Sequence, residues 1–239
     1  MIPFKLFLAL TLFTVDLPDE LKAQHQIQTK QTLDSRQQSI IITSAFTAKG
    51  DLVQLQHALN TGLYAGLTVN EIKEIMIHLY AYCGFPRSIR GLQTLMKVLE
   101  ERKAKGIKDQ SGPEAAPVSD ERSKYERGVE ALYELTGSDW SNPKSGYSAF
   151  APAIDTFLKE HLFADIFERD VLTYQQRELV TISALSSIGG VEPMLRSHFN
   201  ICLNIGLTHD QLNQFVNIIQ SEVGAEEGNA ARKILDEIK

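Results

Sequence analysis

Residues 172–215, which read LTYQQRELVTISALSSIGGVEPMLRSHFNICLNIGLTHDQLNQF, carry a clear helical pattern. Apolar side chains in this stretch recur at intervals of three and four, which is the period of an amphipathic helix. Gly189-Gly190 and Gly206 interrupt the pattern. The stretch therefore predicts three consecutive helices separated by short turns.

The first half of the chain carries the same pattern. Gly66-Leu67-Thr68 matches Gly206-Leu207-Thr208 at an offset of 140 residues, and Ser44-Ala45 matches Ser183-Ala184 at an offset of 139. A loop between the first two helices absorbs the difference of one residue. We therefore predict two copies of one helical unit that pack face to face around a shared core.

The predicted fold class is all-α, with two pseudo-repeated helical units. The first unit covers residues 33–103 and the second covers residues 120–239, including a lead-in over 120–170 that the first unit lacks. Residues 104–119 (AKGIKDQSGPEAAPVS) are rich in Gly, Pro, Ser and Lys, which is typical of an exposed linker.

The N-terminus is predicted to be a signal peptide over residues 1–23. Residues 4–15 (FKLFLALTLFTV) are nearly all apolar but too few to span a bilayer, which takes about 20 residues. Cleavage after Ala23 would give a periplasmic or secreted protein that is not held in a membrane. The alternative is a cytoplasmic chain in which this segment is a first helix packed on the body.

Composition excludes several classes of function. A net charge of -6 with 24 Lys and Arg argues against a nucleic-acid partner. Two cysteines cannot form a disulfide scaffold, a four-cysteine zinc site or an iron–sulfur cluster, and the six histidines show no metal-ligand spacing. The nucleotide-binding patterns GxxxxGK and GxGxxG and the hydrolase elbow GxSxG are absent. We therefore predict neither a cofactor nor a metal.

Two ionisable residues stand on predicted apolar faces. Glu178 precedes Ile182 and Leu185 by four and seven residues, and His198 belongs to a stripe of the next helix that includes Ile201. Because an unpaired buried charge is costly, we expect the two side chains to face each other. Such a pair suits general acid–base catalysis. The alternative is a structural hydrogen bond that fixes the register of the two helices.

The first unit has Ser39 and Ala58 where the second has this pair. It offers His78 and Tyr82 instead, which are neighbours on one helix face, followed by Arg87 after a turn. These three could line a pocket in which Arg87 binds an anion. The alternative is aromatic packing at a helix end.

Taken together, the motifs resemble the carboxymuconolactone decarboxylase family. The resemblance rests on residues 177–179 (REL), 189–190 (GG), His198 and 206–208 (GLT), on 66–68 (GLT) and 82–86 (YCGFP) in the first unit, and on the lead-in segments 125–128 (YERG) and 163–169 (FADIFER). It covers residues 33–103 and 120–239.

The resemblance implies an all-α fold that assembles as trimers or hexamers and performs one of two chemistries. One is decarboxylation of a carboxylated lactone by an acid–base pair. The other is a thiol peroxidase reaction, which uses two cysteines in the pattern Glu-x11-Cys-x2-Cys-x3-His. Cys202 follows His198 by four residues and Cys83 lies in the other unit, so neither occupies that pattern.

We therefore expect lyase-type acid–base chemistry on a small carboxylated lactone or keto acid, with copies of the chain itself as the other partner. His198 would be the general acid or base and Glu178 would orient it. Two alternatives stay open, a thiol-dependent peroxidase and a non-catalytic helical binding or assembly protein. The remaining candidates are substrate-binding residues: Arg177 or Arg87 for a carboxylate, His78 and Tyr82 at the pocket wall, and Ser186 and Ser187 as polar lining.

Overall fold

Helices alone make up the regular structure. The structure is a computed structural model that describes residues 32–141 and 145–238, and no β-strand occurs in either range, which confirms the predicted all-α class. In chain order the elements are α1 (Ser35–Lys49), α2 (Leu52–Tyr64), α3 (Val69–Ala104), α4 (Lys124–Thr136), α5 (Gly146–Phe150), α6 (Pro152–Phe157), π1 (Leu158–Ile166), α7 (Tyr174–Ile188), α8 (Glu192–Asn204), α9 (His209–Ile218), π2 (Ile219–Val223) and α10 (Ala225–Leu235).

The helix bounds confirm the predicted duplication. Helix α1 corresponds to α7 at an offset of 139 residues, and α2 corresponds to α8 at an offset of 140. Helix α3 kinks at Gly84, which adopts the non-helical angles φ 79° and ψ 163°. The equivalent Gly224 separates π2 from α10.

The helix starts are specified locally by the sequence. Thr68 and Glu71 form a capping box at the start of α3: the Glu71 amide donates to the Thr68 hydroxyl and the Glu71 carboxylate accepts from the Thr68 amide. Asp34, Thr173 and Thr208 begin α1, α7 and α9 with equivalent boxes. Each cap satisfies amides that the first helical turn leaves unpaired, which stabilises the helix by about 1 kcal/mol.

Helices α1 and α7 pack against each other at the centre of the molecule. Their contact faces are rich in small and hydroxyl residues, and some of the buried hydroxyls bond within their own helix. Thr47 donates to the carbonyl of Thr43 at 2.8 Å, and Ser183 donates to that of Leu179 at 2.6 Å. These two hydroxyls therefore do not need partners across the interface, and the two helices can pack closely.

The lead-in builds a second, smaller core over one side of the molecule. Helix α4 packs along π1, where a Cβ at Gly128 would lie 1.9 Å from the backbone oxygen of Lys159. Apolar side chains of α4 and π1, among them Leu135 and Phe163, pack together with Ile201 of α8. Within residues 32–141 and 145–238, no segment equivalent to α4 and π1 precedes α1.

The predicted linker starts at the end of α3, and residues 107–121 form neither helix nor strand. The linker is bound to the first turn of α3, because the amides of Val69 and Asn70 donate to the carbonyls of Gln110 and Ser111. The predicted signal peptide lies outside the described residues. Among the helices of the described part, none has the length and apolar character that crossing a membrane requires.

Candidate functional site

Glu178 of α7 and His198 of α8 form a hydrogen-bonded pair. The Nδ1 atom of His198 lies 2.7 Å from the Oε2 atom of Glu178. The Glu178 side chain is completely buried, whereas 14% of the His198 side chain is exposed. With the Nδ1 proton donated to the carboxylate, the Nε2 atom is the nitrogen that is left to exchange a proton with a ligand. The contact expected from the sequence is therefore present.

His198 lines a cavity of about 770 Å³ between α8 and the lead-in. Its walls are mainly apolar and include Leu132, Leu158, Phe163, Leu185 and Ile201. Trp140 also lines it, and its indole nitrogen already donates to Thr136. No Lys, Arg, Asp or Glu belongs to the cavity wall that these described residues form. The imidazole is therefore the principal titratable group that a ligand in this cavity would meet.

The first unit contributes Tyr82 to the same cavity. The Tyr82 ring meets the His198 ring edge-on, with 6.0 Å between the centroids, and stacks on His78 at 5.2 Å. Burial and the nearby Glu178 carboxylate raise the pKa of the Tyr82 phenol well above its usual value. The structure thus places Tyr82 at the cavity wall, as expected, and the candidate site contains residues of both units.

His78 lies behind Tyr82 and is completely buried. Its Nδ1 atom is 3.3 Å from a guanidinium nitrogen of Arg177, and its Nε2 atom is 2.8 Å from the Thr181 hydroxyl oxygen. Because a guanidinium can only donate, Nδ1 accepts and Nε2 carries the proton. Burial lowers the pKa of His78, and the charge of Arg177 lowers it further. His78 is therefore a neutral group that supports Tyr82 from behind.

Arg177 does not reach the cavity. Its side chain is fully buried, and it donates to the Glu74 carboxylate at 2.8 Å and to the carbonyl of Arg169. The expectation that Arg177 binds a substrate carboxylate is not supported by this position, because the guanidinium already has an internal counter-ion. Sequence reasoning missed Glu74, although its place four residues before His78 put it on the same helix face.

Arg87 and Ser187 lie on the other side of Tyr82, in a second and more open cavity of about 550 Å³. Arg87 is exposed, and its guanidinium packs against Gly50, where it occupies the space that a Cβ atom would fill. Ser187 donates to the carbonyl of Ser183. Ser186 is buried, and its hydroxyl has no hydrogen-bond partner in the part of the chain that is described. The structure therefore brings none of these three residues into contact with His198.

The family comparison agrees with this architecture. The model of the carboxymuconolactone decarboxylase family matches residues 21–95 and 152–237, which together are more than half of the chain. The chain belongs to the carboxymuconolactone decarboxylase family. A curated relative, the 4-carboxymuconolactone decarboxylase of Acinetobacter baylyi (strain ATCC 33305 / BD413 / ADP1), is 28% identical over 122 residues, which are 51% of this chain and 90% of the relative. Nearly the whole relative thus aligns with half of this duplicated family member.

The two cysteines of this family member are poor nucleophiles. Burial raises the pKa of the Cys83 thiol to about 11, and the thiol donates to the carbonyl of Leu79. Cys202 is completely buried, and burial together with the Glu178 charge raises the pKa of its thiol well above the usual value. Because the thiolate is the reactive form, both thiols are held in the unreactive form at neutral pH.

The duplication does not produce a second site of this kind within residues 32–141 and 145–238. The first unit has Ser39 and Ala58 at the positions of the Glu–His pair, and the second unit has Ile218 and Glu222 at the positions of His78 and Tyr82. In the same ranges no three His, Cys, Asp or Glu side chains lie close enough together to hold a metal ion. The family fold thus carries its candidate acid–base group on one side of the pseudo-symmetric core.

Proposed function

We propose that this protein catalyses proton transfer to carbon in a small carbonyl compound, with His198 as general acid or base and Glu178 as the group that orients it. The observation that carries the proposal is the 2.7 Å contact between the buried Glu178 carboxylate and the imidazole that lines an apolar cavity. A buried carboxylate fixes one tautomer of the imidazole and stabilises the imidazolium. General acid–base catalysis of this type contributes about 10²–10⁴-fold to a rate.

The reaction that fits best is the decarboxylation of a carboxylated lactone or keto acid. The bond between the carboxylate carbon and its neighbour breaks, carbon dioxide leaves, and the electron pair passes into the adjacent carbonyl group as an enolate. The imidazolium of His198 then delivers a proton from Nε2 to the carbon that lost the carboxylate. A proton from solvent restores the imidazolium for the next turnover.

The character of the cavity supports this substrate class. An apolar wall stabilises a carboxylate less than water does, which favours its conversion to neutral carbon dioxide. Because the described wall holds no Lys or Arg, we infer that the imidazolium is the charged group that meets the carboxylate of the substrate. The name of the relative, 4-carboxymuconolactone decarboxylase, supports a carboxylated lactone.

The proposal is tested with a panel of carboxylated lactones and β-keto acids, measuring carbon dioxide release and deuterium incorporation from heavy water. His198→Gln is expected to slow turnover by about 10²–10⁴-fold while it leaves the melting temperature nearly unchanged. Glu178→Gln keeps a hydrogen bond but removes the charge, so we expect a smaller loss. The matched control is His57→Gln, because His57 is exposed on α2, which corresponds to α8.

Full activity in a folded His198→Gln protein would contradict the proposal. A second candidate, a non-catalytic binding protein, is favoured by the volume and apolar wall of the same cavity. It predicts that the wild-type protein binds lactones without turnover and that His198→Gln binds them equally well. The buried, protonated thiols favour neither candidate over the other, but they argue against a thiol-dependent peroxidase.

A further inference from the structure

We propose that the substrate carries a large apolar group, of the bulk of a medium-length alkyl chain, in addition to its carboxylate. This inference rests on the proposed function, since it names the class of substrate for the same cavity. The carboxylate meets His198, and the apolar group extends along the wall that the lead-in supplies.

The volume of the cavity exceeds what a compact acid needs. At about 770 Å³ it lies in the upper part of the range of about 300–1,000 Å³ that proteins use for drug-sized ligands. An unsubstituted lactone or keto acid fills only a small part of this space. Water in the remaining part finds few polar partners on an apolar wall, so an apolar group that displaces it is favoured.

The polar side chains of the wall donate hydrogen bonds within the protein. Trp140 donates to the Thr136 hydroxyl at 2.8 Å, and Thr136 donates to the carbonyl of Leu132 at 2.7 Å. Ser197 and the side-chain amide of Asn200 each donate to the backbone carbonyl four residues earlier on α8, both at 3.1 Å. These four groups therefore offer a ligand little hydrogen bonding, and the wall suits an apolar group in its bonding as well as in its composition.

Part of this wall lies outside the segments that match the family. Leu132 of α4, Trp140 and Tyr147 of α5 line the cavity, and all three lie between the two matched segments. His198 and Glu178 lie within the second matched segment. The acid–base pair thus belongs to the part that this chain shares with the family model, whereas the added apolar wall is where a difference in substrate arises.

The apolar surface continues to the opening of the cavity. Tyr147, Ile154 and Met194 belong to the wall although they are 50%, 53% and 52% exposed, so they lie where the cavity meets solvent. Ile154 comes from α6 and Met194 from α8. A ligand can reach these side chains, and covering them with an apolar group removes apolar surface from water on both partners.

The experiment measures the binding of butanoate, hexanoate, octanoate and decanoate, each below its micelle concentration. Binding is followed by the fluorescence of Trp140, which is the one tryptophan of the sequence and lines the cavity. These acids lack the carbonyl group that decarboxylation requires, so they report binding without turnover. We expect the affinity to rise by about 2–4-fold for each added methylene. The same trend is expected in kcat/KM for carbon dioxide release from β-keto acids of increasing length.

A double variant tests whether the chain lies in this cavity. Replacing Ile154→Asn together with Met194→Gln keeps similar volumes but makes the opening polar, so decanoate should bind about 3–10-fold more weakly and butanoate within about 2-fold of wild type. The matched control is Ile89→Asn together with Met96→Gln, because both residues are exposed on α3 and lie outside the cavity wall. Equal melting temperatures identify the variants that have folded.

This inference and the acid–base proposal fail in different ways. Affinity that does not rise from butanoate to decanoate overturns the inference and leaves the acid–base role standing for compact substrates. A rise that the double variant keeps in full also overturns it, because the alkyl chain then binds elsewhere. His198→Gln should weaken every acid by a similar factor and keep the dependence on length. Turnover that persists in His198→Gln contradicts the acid–base role and leaves the substrate class standing.

Discussion

Replacing Arg177 by Met tests whether the buried guanidinium is structural. The Arg177 side chain is fully buried and that of Glu74 is 2% exposed, and a guanidinium nitrogen lies 2.8 Å from a Glu74 carboxylate oxygen. The Met variant keeps much of the volume but leaves the Glu74 charge in the protein interior. It also removes the donor that fixes the tautomer of His78.

The magnitude follows from what remains around Glu74. Breaking a buried ion pair by removing one partner costs about 3–5 kcal/mol of unfolding free energy. Arg169 still donates to both Glu74 oxygens, at 2.9 and 3.0 Å, so the carboxylate keeps one partner and we expect a loss of about 3 kcal/mol. For a chain of this size each kcal/mol lowers the melting temperature by about 2–4 °C, which gives about 6–12 °C.

The assay is thermal unfolding followed by circular dichroism or calorimetry. The matched control is Arg90→Met, because Arg90 is exposed and contacts Gln93 on the same helix. We expect the control to melt within about 2 °C of wild type, as surface substitutions usually do. An Arg177→Met protein that melts with the control but no longer binds the carboxylated lactones would contradict the structural role and return Arg177 to the substrate site.

Three further predictions follow from burial. Because the thiols of Cys83 and Cys202 are held protonated, Cys83 should react slowly with iodoacetamide at pH 8 and Cys202 should react only after unfolding. Replacing both cysteines with Ser should leave turnover intact, and turnover lost in a folded double variant would restore the peroxidase alternative. Because folding lowers the pKa of His78, the unfolded protein binds one more proton than the folded protein below about pH 6.5. The free energy of unfolding should therefore fall with decreasing pH more steeply in wild type than in His78→Gln. Urea titrations that give the same pH dependence for both proteins would contradict this. Gly128→Ala should destabilise the protein by about 1–3 kcal/mol, since its Cβ would meet the backbone oxygen of Lys159, and an unchanged melting temperature would show that α4 and π1 can separate freely.

Local chemistry explains why the fold was predictable. Apolar spacing, glycines at the turns and capping residues such as Thr68 act within a few neighbouring residues, so the sequence shows them directly. The repeat offset of 139–140 residues then showed which helices of the two units correspond, before their packing was considered. The π-helical turns π1 and π2 were not anticipated, because they depend on how each helix fits its neighbours.

Helical spacing and the repeat were enough to predict the all-α class and the duplication. The pairing of Glu178 with His198 was predictable because two ionisable groups on apolar helix faces must satisfy each other. Which other polar residues share their cavity depends on how the helices pack. Arg177 is adjacent to Glu178 in sequence, yet successive helix residues point about 100° apart, and Arg177 is directed to Glu74 instead. Tyr82 reaches His198 across an interface between units, and the lead-in closes the cavity above them. Such long-range contacts leave no local signal in the sequence, since they arise from how whole helices pack.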